Sequence, residues 1–220
     1  MRVQRASSPR AVNMKPKTTH ADAQRGLKDD KYLLASADEL FRQGKFSQAV
    51  AYYDIVLEKV PHNFRALHNK GLALFALNKF DKSIECYNRA LEVQPHALHV
   101  KLKKAISLNS KRDFEGAKDL LDSVLTVDRT NKEALNARAL AEFHLGLDSE
   151  GMQDLRRAIE VDPTYVMAWN NLGCFYLGLG ELDAAVACFD RALTIDPECY
   201  DALLLKDMAV ERREKRARRA

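Results

Sequence analysis

The heptapeptide RALEVQP, Arg89 to Pro95, returns as RAIEVDP from Arg157 to Pro163 and as RALTIDP from Arg191 to Pro197. The separations are 68 and 34 residues, both multiples of 34, so internal repetition is the first property to read. On a 34-residue ruler starting at Asp30 the proline recurs as Pro61, Pro95, Pro163 and Pro197, with Arg129 in the third slot. Five units follow without a slip in register: 30–63, 64–97, 98–131, 132–165 and 166–199.

Within the units the apolar residues keep helical spacing. In the fifth, Trp169, Leu172, Gly173 and Tyr176 fall at i, i+3, i+4 and i+7, then Ala185, Phe189 and Ala192 at i, i+4 and i+7. Each unit is predicted to be a helix, a short turn and a second helix. Small residues stand twelve apart, one on each helix: Ala37 with Ala49, Gly71 with Ser83, Ala105 with Ala117, Ala139 with Gly151, and Gly173 with Ala185. A glycine inside a helix costs about 1 kcal/mol relative to alanine. Close approach of the two helix backbones is the expected compensation, because side-chain size at the contact sets interaxial distance. Gly44, Asn78, Gly146 and Gly180 mark the turn inside their units, where a positive φ ends the first helix. The proline is expected to end the second helix. A lone hairpin of this kind cannot bury its apolar face, so like units must stack on one another.

Trp169, Leu172, Gly173 and Tyr176 together complete the pattern W-x2-L-G-x2-Y. On that motif and the five in-register units, residues 30–199 resemble the tetratricopeptide repeat proteins. The resemblance implies an all-α solenoid, a right-handed superhelix of helix-turn-helix units whose first helices line a concave groove. Residues 200–220 are expected to form a capping helix, with Ala202, Leu203 and Val210 covering the fifth unit and a basic end that suits a helix C-terminus.

Units three and four depart from the pattern. Lys101 and Lys104 stand where unit five has Trp169 and Leu172; Arg138 replaces the leucine of unit four, Glu142 its tyrosine, and Asp148 an apolar residue beside the turn. Three readings are open: long basic stems that snorkel to solvent, an ionic seam of Arg138 and Glu142 with Lys104 nearby, or a shifted helix phase in these units. Either of the first two makes the joint between units three and four the one that buries least apolar surface.

The chemistry of the chain points away from catalysis. It has no G-x-x-x-x-G-K-[ST] loop, G-x-S-x-G elbow or H-E-x-x-H helix. His96 and His99 form an H-x-x-H pair with no evident third ligand, and Cys86, Cys174, Cys188 and Cys199 form no C-x-x-C pair. Neither a cofactor nor a metal is expected. No apolar stretch reaches the roughly 18 residues of a membrane span and the first residues lack the h-region of a secretory signal, which favours the cytoplasm.

The family's usual groove positions are the second, fifth, sixth, ninth, twelfth and thirteenth of each unit. Carried over, they propose Arg42, Arg65, His68, Asn69, His99, Lys103, Asn136, Asn170 and Asn171 as the peptide-binding residues. The asparagines can give and accept backbone hydrogen bonds without demanding a particular side chain; the alternative is that they merely occupy polar helix positions. A clamp used by related proteins to hold chaperone C-termini is half absent, since its positions fall on Leu34, Asp38, Asn69, His99 and Lys103, and Asp38 would repel a carboxylate. Arg42, Arg65 and Lys103 favour an acidic segment in the first half of the groove.

Charge is uneven along the chain. Residues 1–29 hold seven basic and two acidic residues and 211–220 six and two, which leaves a net −5 for the body out of an overall +4. A basic folded surface of the kind that binds nucleic acid is therefore not indicated. Units one to three carry 16 basic and 13 acidic residues, and the remainder through Val210 carries 6 and 14. Such a rod could orient a partner or stack head to tail with its own copies. The first 29 residues are expected to be a basic disordered leader, with an organellar transit peptide as the alternative. The C-terminal ERREKRARR either solvates the cap or touches RNA, anionic lipid or an acidic partner. The function expected is a noncatalytic adaptor that receives a partner's peptide or helix in the groove. An RNA-associated accessory protein and a regulatory subunit of an enzyme complex are the alternatives.

Overall fold

The computed structural model describes residues 20–218, with side chains from residue 31 onward. Eleven helices follow one another: α1 (His20–Arg42), α2 (Phe46–Lys59), α3 (Phe64–Ala76), α4 (Phe80–Val93), α5 (Leu98–Lys111), α6 (Phe114–Val127), α7 (Lys132–His144), α8 (Asp148–Val161), α9 (Val166–Leu179), α10 (Leu182–Ile195) and α11 (Tyr200–Ala217). Each packs on the helix before it and the helix after it. In addition α1 touches α3, α3 touches α5, α5 touches α7, α7 touches α9 and α9 touches α11, whereas no two of α2, α4, α6, α8 and α10 touch. The array is tighter on the side of the odd-numbered helices, and that difference curves it into an open solenoid with those helices on the hollow face.

The register is visible in the turns. Gly44, Asn78, Arg112, Gly146 and Gly180, spaced 34 apart, all have positive φ, between 56° and 77°. Arg112 lies beyond the sequence signal, since arginine in the left-handed region costs roughly 1–2 kcal/mol; the hairpin geometry imposes the conformation whatever residue occupies it. The second helices all end two residues before the proline slot, α6 included, although Arg129 stands there. An aspartate just before the slot makes a local turn instead: the Oδ1 atoms of Asp128, Asp162 and Asp196 accept from the backbone N–H of Thr130, Thr164 and Glu198.

The helical glycines have a reason more specific than backbone approach. A Cβ on Gly71 would lie 2.5 Å from the Tyr87 ring and one on Gly173 would lie 2.5 Å from the Phe189 ring. Where alanine takes this place, as at Ala105 and Ala139, the opposing residue is Leu121 or Leu155, all of them fully buried. Ala37 faces the tyrosine Tyr53, whose hydroxyl donates to Asp38 at 2.7 Å. Gly151 makes room for Phe175 of the next unit, whose ring would stand 2.5 Å from its Cβ.

Three expectations change. Helix α1 begins at His20, so the last ten residues of the segment expected to be a disordered leader are helical; residues 1–19 lie outside the described residues. On α11 the contact with α10 is made by Ala202, Leu205 and Ala209 rather than by Leu203, which is 49% exposed. Thirdly, the joint between units three and four is not where the core thins. One apolar cluster runs from Leu102 through Leu121, Val124, Ala134 and Leu135 to Cys188, while a separate one spans Ala37 to Val100. Arg138 reinforces that joint, donating to Asp154 at 2.6 and 2.8 Å and to Asp122 of α6 at 2.5 Å. The ionic seam therefore exists, but its anchors are Asp154 and Asp122; Glu142 is 3.7 Å from the guanidinium, and the lysine beside Asp122 is Lys118 rather than Lys104.

Candidate peptide groove

The hollow face divides into two chemically different halves. In the first, Asp38 of α1 is the hub: it accepts from Tyr53 Oη at 2.7 Å, Arg65 at 2.5 Å and Asn69 Nδ2 at 2.8 Å. Arg42 pairs with Glu39, and Lys103 of α5 pairs with Glu133 of α7 at 3.1 Å. The three cations expected to draw an acidic segment thus already face carboxylates. The His68 ring lies 5.0 Å from that of His99 and stacks on Phe64. Burial, with His99 and Lys103 adding repulsion, pushes the His68 pKa down to about 4, so this imidazole is neutral at pH 7. Its Nδ1 is buried without a partner. Of the sequence-proposed residues, Arg65, Asn69 and Lys103 knit the groove floor, His68 and His99 form one aromatic cluster with Phe64, and Arg42 lies outside both groups.

The second half is built on amides and apolar side chains. Asn171 Nδ2 of α9 donates to Asn136 Oδ1 of α7 at 2.8 Å, which turns the amide of Asn136 so that its Nδ2–H remains to donate. Asn109 Nδ2 donates to the Ala137 carbonyl at 2.7 Å and ties α5 to α7. The Oδ1 atoms of Asn109 and Asn170 are buried without partners. Beside Asn136 a cavity of about 370 Å³ opens between α5, α7 and the start of α9, walled by Ile106, Ala137, Leu140, Tyr165 and Met167. The large apolar side chains exposed along this part of the groove are Leu140, Met167, Leu204 and Met208. Met167, Leu204 and Met208 were not among the groove residues read from the sequence. The signal was available: continuing the 34-residue ruler past residue 199 puts Leu204 and Met208 of α11 in the fifth and ninth positions, in line with Asn136 and Leu140.

No group of His, Cys, Asp and Glu side chains suited to a metal ion occurs among the described residues. Burial raises the thiol pKa values of Cys86, Cys174 and Cys188, which makes them poor nucleophiles.

These features define a class, a stacked helical-hairpin repeat with an open, mixed polar and apolar groove. Family models described as tetratricopeptide repeat match residues 34–98, 102–166 and 166–199, and the chain belongs to that family. It is 34% identical over 96 residues to the Protein CTR9 homolog of Arabidopsis thaliana, covering 43% of this chain and 9% of that protein. It is 28% identical over 86 residues to Heat shock protein STI1 of Saccharomyces cerevisiae, covering 39% of this chain and 15% of that protein. The chain therefore spans a small fraction of the length of these relatives. Among solved structures, the type IV pilus biogenesis factor PilW superposes with a TM-score of 0.75 at 19% identity, covering 83% of this chain and 85% of the other. No helix among the described residues is long and apolar enough to cross a membrane.

Proposed function

We propose that the protein is a noncatalytic adaptor that receives a segment of a partner protein along its hollow face. The observation that carries this reading is the second half of the groove, where an oriented amide with a hydrogen to give stands beside an apolar cavity and exposed Leu140 and Met167. An amide donor binds a peptide carbonyl whatever the side chain, and apolar walls reward burial, the combination that peptide-receiving grooves use. Asn136, Asn170, Asn171 and His99 are the polar contacts proposed for the partner. Arg65, Asn69, Lys103 and His68 shape the floor they stand on. The relative STI1 is a heat shock protein by name, but the chaperone-clamp positions here hold Leu34, an Asp38 already ligated by Arg65 and Asn69, and His99. A carboxylate-terminated chaperone tail is therefore not the proposed ligand.

The test is affinity capture from a lysate of the source cells on three baits: the full chain, a groove variant (Asn136→Ala, Leu140→Arg, Met167→Arg) and a variant of the opposite face (Tyr52→Arg, Ile55→Arg on α2). The expected result is a set of partners that the groove variant loses and the α2 variant keeps. Partners retained by the groove variant would overturn the reading.

A further inference from the structure

Resting on that groove reading, we propose the chemistry of the segment it holds: one large aliphatic or aromatic side chain fills the cavity between α5 and α7, the carbonyl beside it accepts from Asn136, and basic residues next in the chain lie against Asp201 of α11.

The cavity sets the anchor. At about 370 Å³ it falls at the small end of ligand sites, and its walls are Ile106, Ala137, Leu140, Tyr165 and Met167. The charges at its rim, Lys103 and Glu133, are paired with each other, so the cavity selects an apolar group and not a charge. A wider depression adjoins it through the same Lys103 and Glu133 and is lined by His99, Leu102 and Lys132. An anchored residue can therefore continue into a chain, which favours a polypeptide over an isolated small molecule.

The charge of the flanks follows from which groove ions are free. Toward the N-terminal half every groove cation named above meets a carboxylate: Arg42 meets Glu39, Arg65 meets Asp38 and Lys103 meets Glu133. An acidic ligand would have to displace those partners. Toward the C-terminal half the balance is reversed, with 6 basic and 14 acidic residues from Lys132 to Val210. Asp201 is exposed and forms no ion pair among the described residues. It holds the second position of the 34-residue register, as Glu133 of α7 and Met167 of α9 do beside the cavity, which puts it on the hollow face. A Lys or Arg side chain arriving there adds attraction without breaking an existing pair, and such complementarity fixes direction along the groove.

The inference is tested by selecting a random dodecapeptide library, displayed on phage, against the full chain. Selected peptides are then titrated by fluorescence anisotropy against wild type, Leu140→Arg and Asp201→Lys, with circular dichroism to check that both variants fold. Enriched sequences should share one large apolar residue with Lys or Arg on one side of it. Replacing that residue by alanine or using Leu140→Arg should weaken binding at least tenfold, whereas Asp201→Lys should weaken the basic peptides severalfold and leave peptides with neutralised flanks unchanged. Enrichment of Asp and Glu, indifference to Leu140→Arg or Asp201→Lys, or no enrichment over background would each overturn it. Capture of cellular partners that depends on the groove, combined with acidic selected peptides, would sink this inference alone; capture indifferent to the groove variant would remove the adaptor reading beneath it as well.

Discussion

Glu142 occupies the place that Tyr176 holds in unit five, and it is only 3% exposed, with one carboxylate oxygen lacking any partner. Burial first, and the nearby Asp154 second, push its pKa up to about 7 against the pull of Arg138 and Lys118. The folded state therefore holds this proton more tightly than the unfolded chain, and the stability so gained is complete below about pH 4.5 and is lost as pH climbs to about 7. His68 has the opposite sign. Its pKa is depressed to about 4, so the unfolded chain takes up the proton first and stability is lost as pH falls from about 6.5 toward 4. The two slopes oppose each other across the interval they share. Substituting Glu142→Gln leaves the histidine slope, and urea unfolding should then show stability rising by about 2 kcal/mol from pH 5 to pH 8, while His68→Asn should leave a fall of similar size. Identical pH dependence in wild type and Glu142→Gln would show that the carboxyl is solvated. The sequence pairs Arg138 with Glu142 because they are one helical turn apart, but the carboxylates that grip the guanidinium lie 16 residues away in either direction, on α6 and α8. Helical periodicity says nothing about such partners.

At the scale of the element, the hairpin is governed by a lock between α3 and α4 that also recurs between α9 and α10. Gly71 and Gly173 each receive the face of a fully buried aromatic ring, Tyr87 and Phe189. Substituting Gly71→Ala gains roughly 1 kcal/mol of helix propensity, but its Cβ would stand 2.5 Å from a fully buried ring. Overpacking of this kind costs about 1–3 kcal/mol, so a net loss of stability is expected in chemical denaturation. Combining Gly71→Ala with Tyr87→Leu recreates the Ala105 and Leu121 pairing of unit three, and the double variant should lose less than the sum of the two single ones. Strict additivity would mean that ring and glycine are not in contact. Helix, turn and boundary were legible because each is written five times, so one irregular copy could not hide the period. The partner of the glycine was legible too, in the way that glycine goes with an aromatic and alanine with leucine in units two to five, but spacing alone assigned the glycines to backbone contact. Arg112 was beyond reach, since nothing about arginine signals a positive φ.

For the whole molecule, curvature follows from contacts between first helices that second helices lack, and the hollow face was legible because the repeat register carries it. Its apolar C-terminal lane was hidden by treating α11 as a cap, although that helix extends the groove. On α11 the exposed Asp207 stands in the slot that Ala37, Gly71, Ala105, Ala139 and Gly173 hold against a second helix, while Leu204 and Met208 continue the lane. The same stacking sets how the solenoid comes apart, because in a linear array stability is a sum of units and interfaces. The apolar core is divided within α5, with one cluster reaching Val100 and the next starting at Leu102, and again in unit five, where a third starts at Leu177. Near the division in α5 the buried hydroxyls of Ser83 and Ser107 meet at 3.3 Å, at the positions that Ala49 and Ala73, Ala117 and Ala141, and Gly151 and Phe175 hold at other joints. The joint between units three and four, by contrast, has a continuous apolar cluster and the bond from Arg138 to Asp122. Native-state hydrogen exchange in low urea should accordingly show the amides of α1 to α4 opening together, at a lower free energy than those of α6 to α9, with the step falling at α5. A step between α6 and α7 would mean that the charged residues of units three and four weaken their joint after all, and that a guanidinium held by two carboxylates does not replace the apolar contact that leucine makes in unit five.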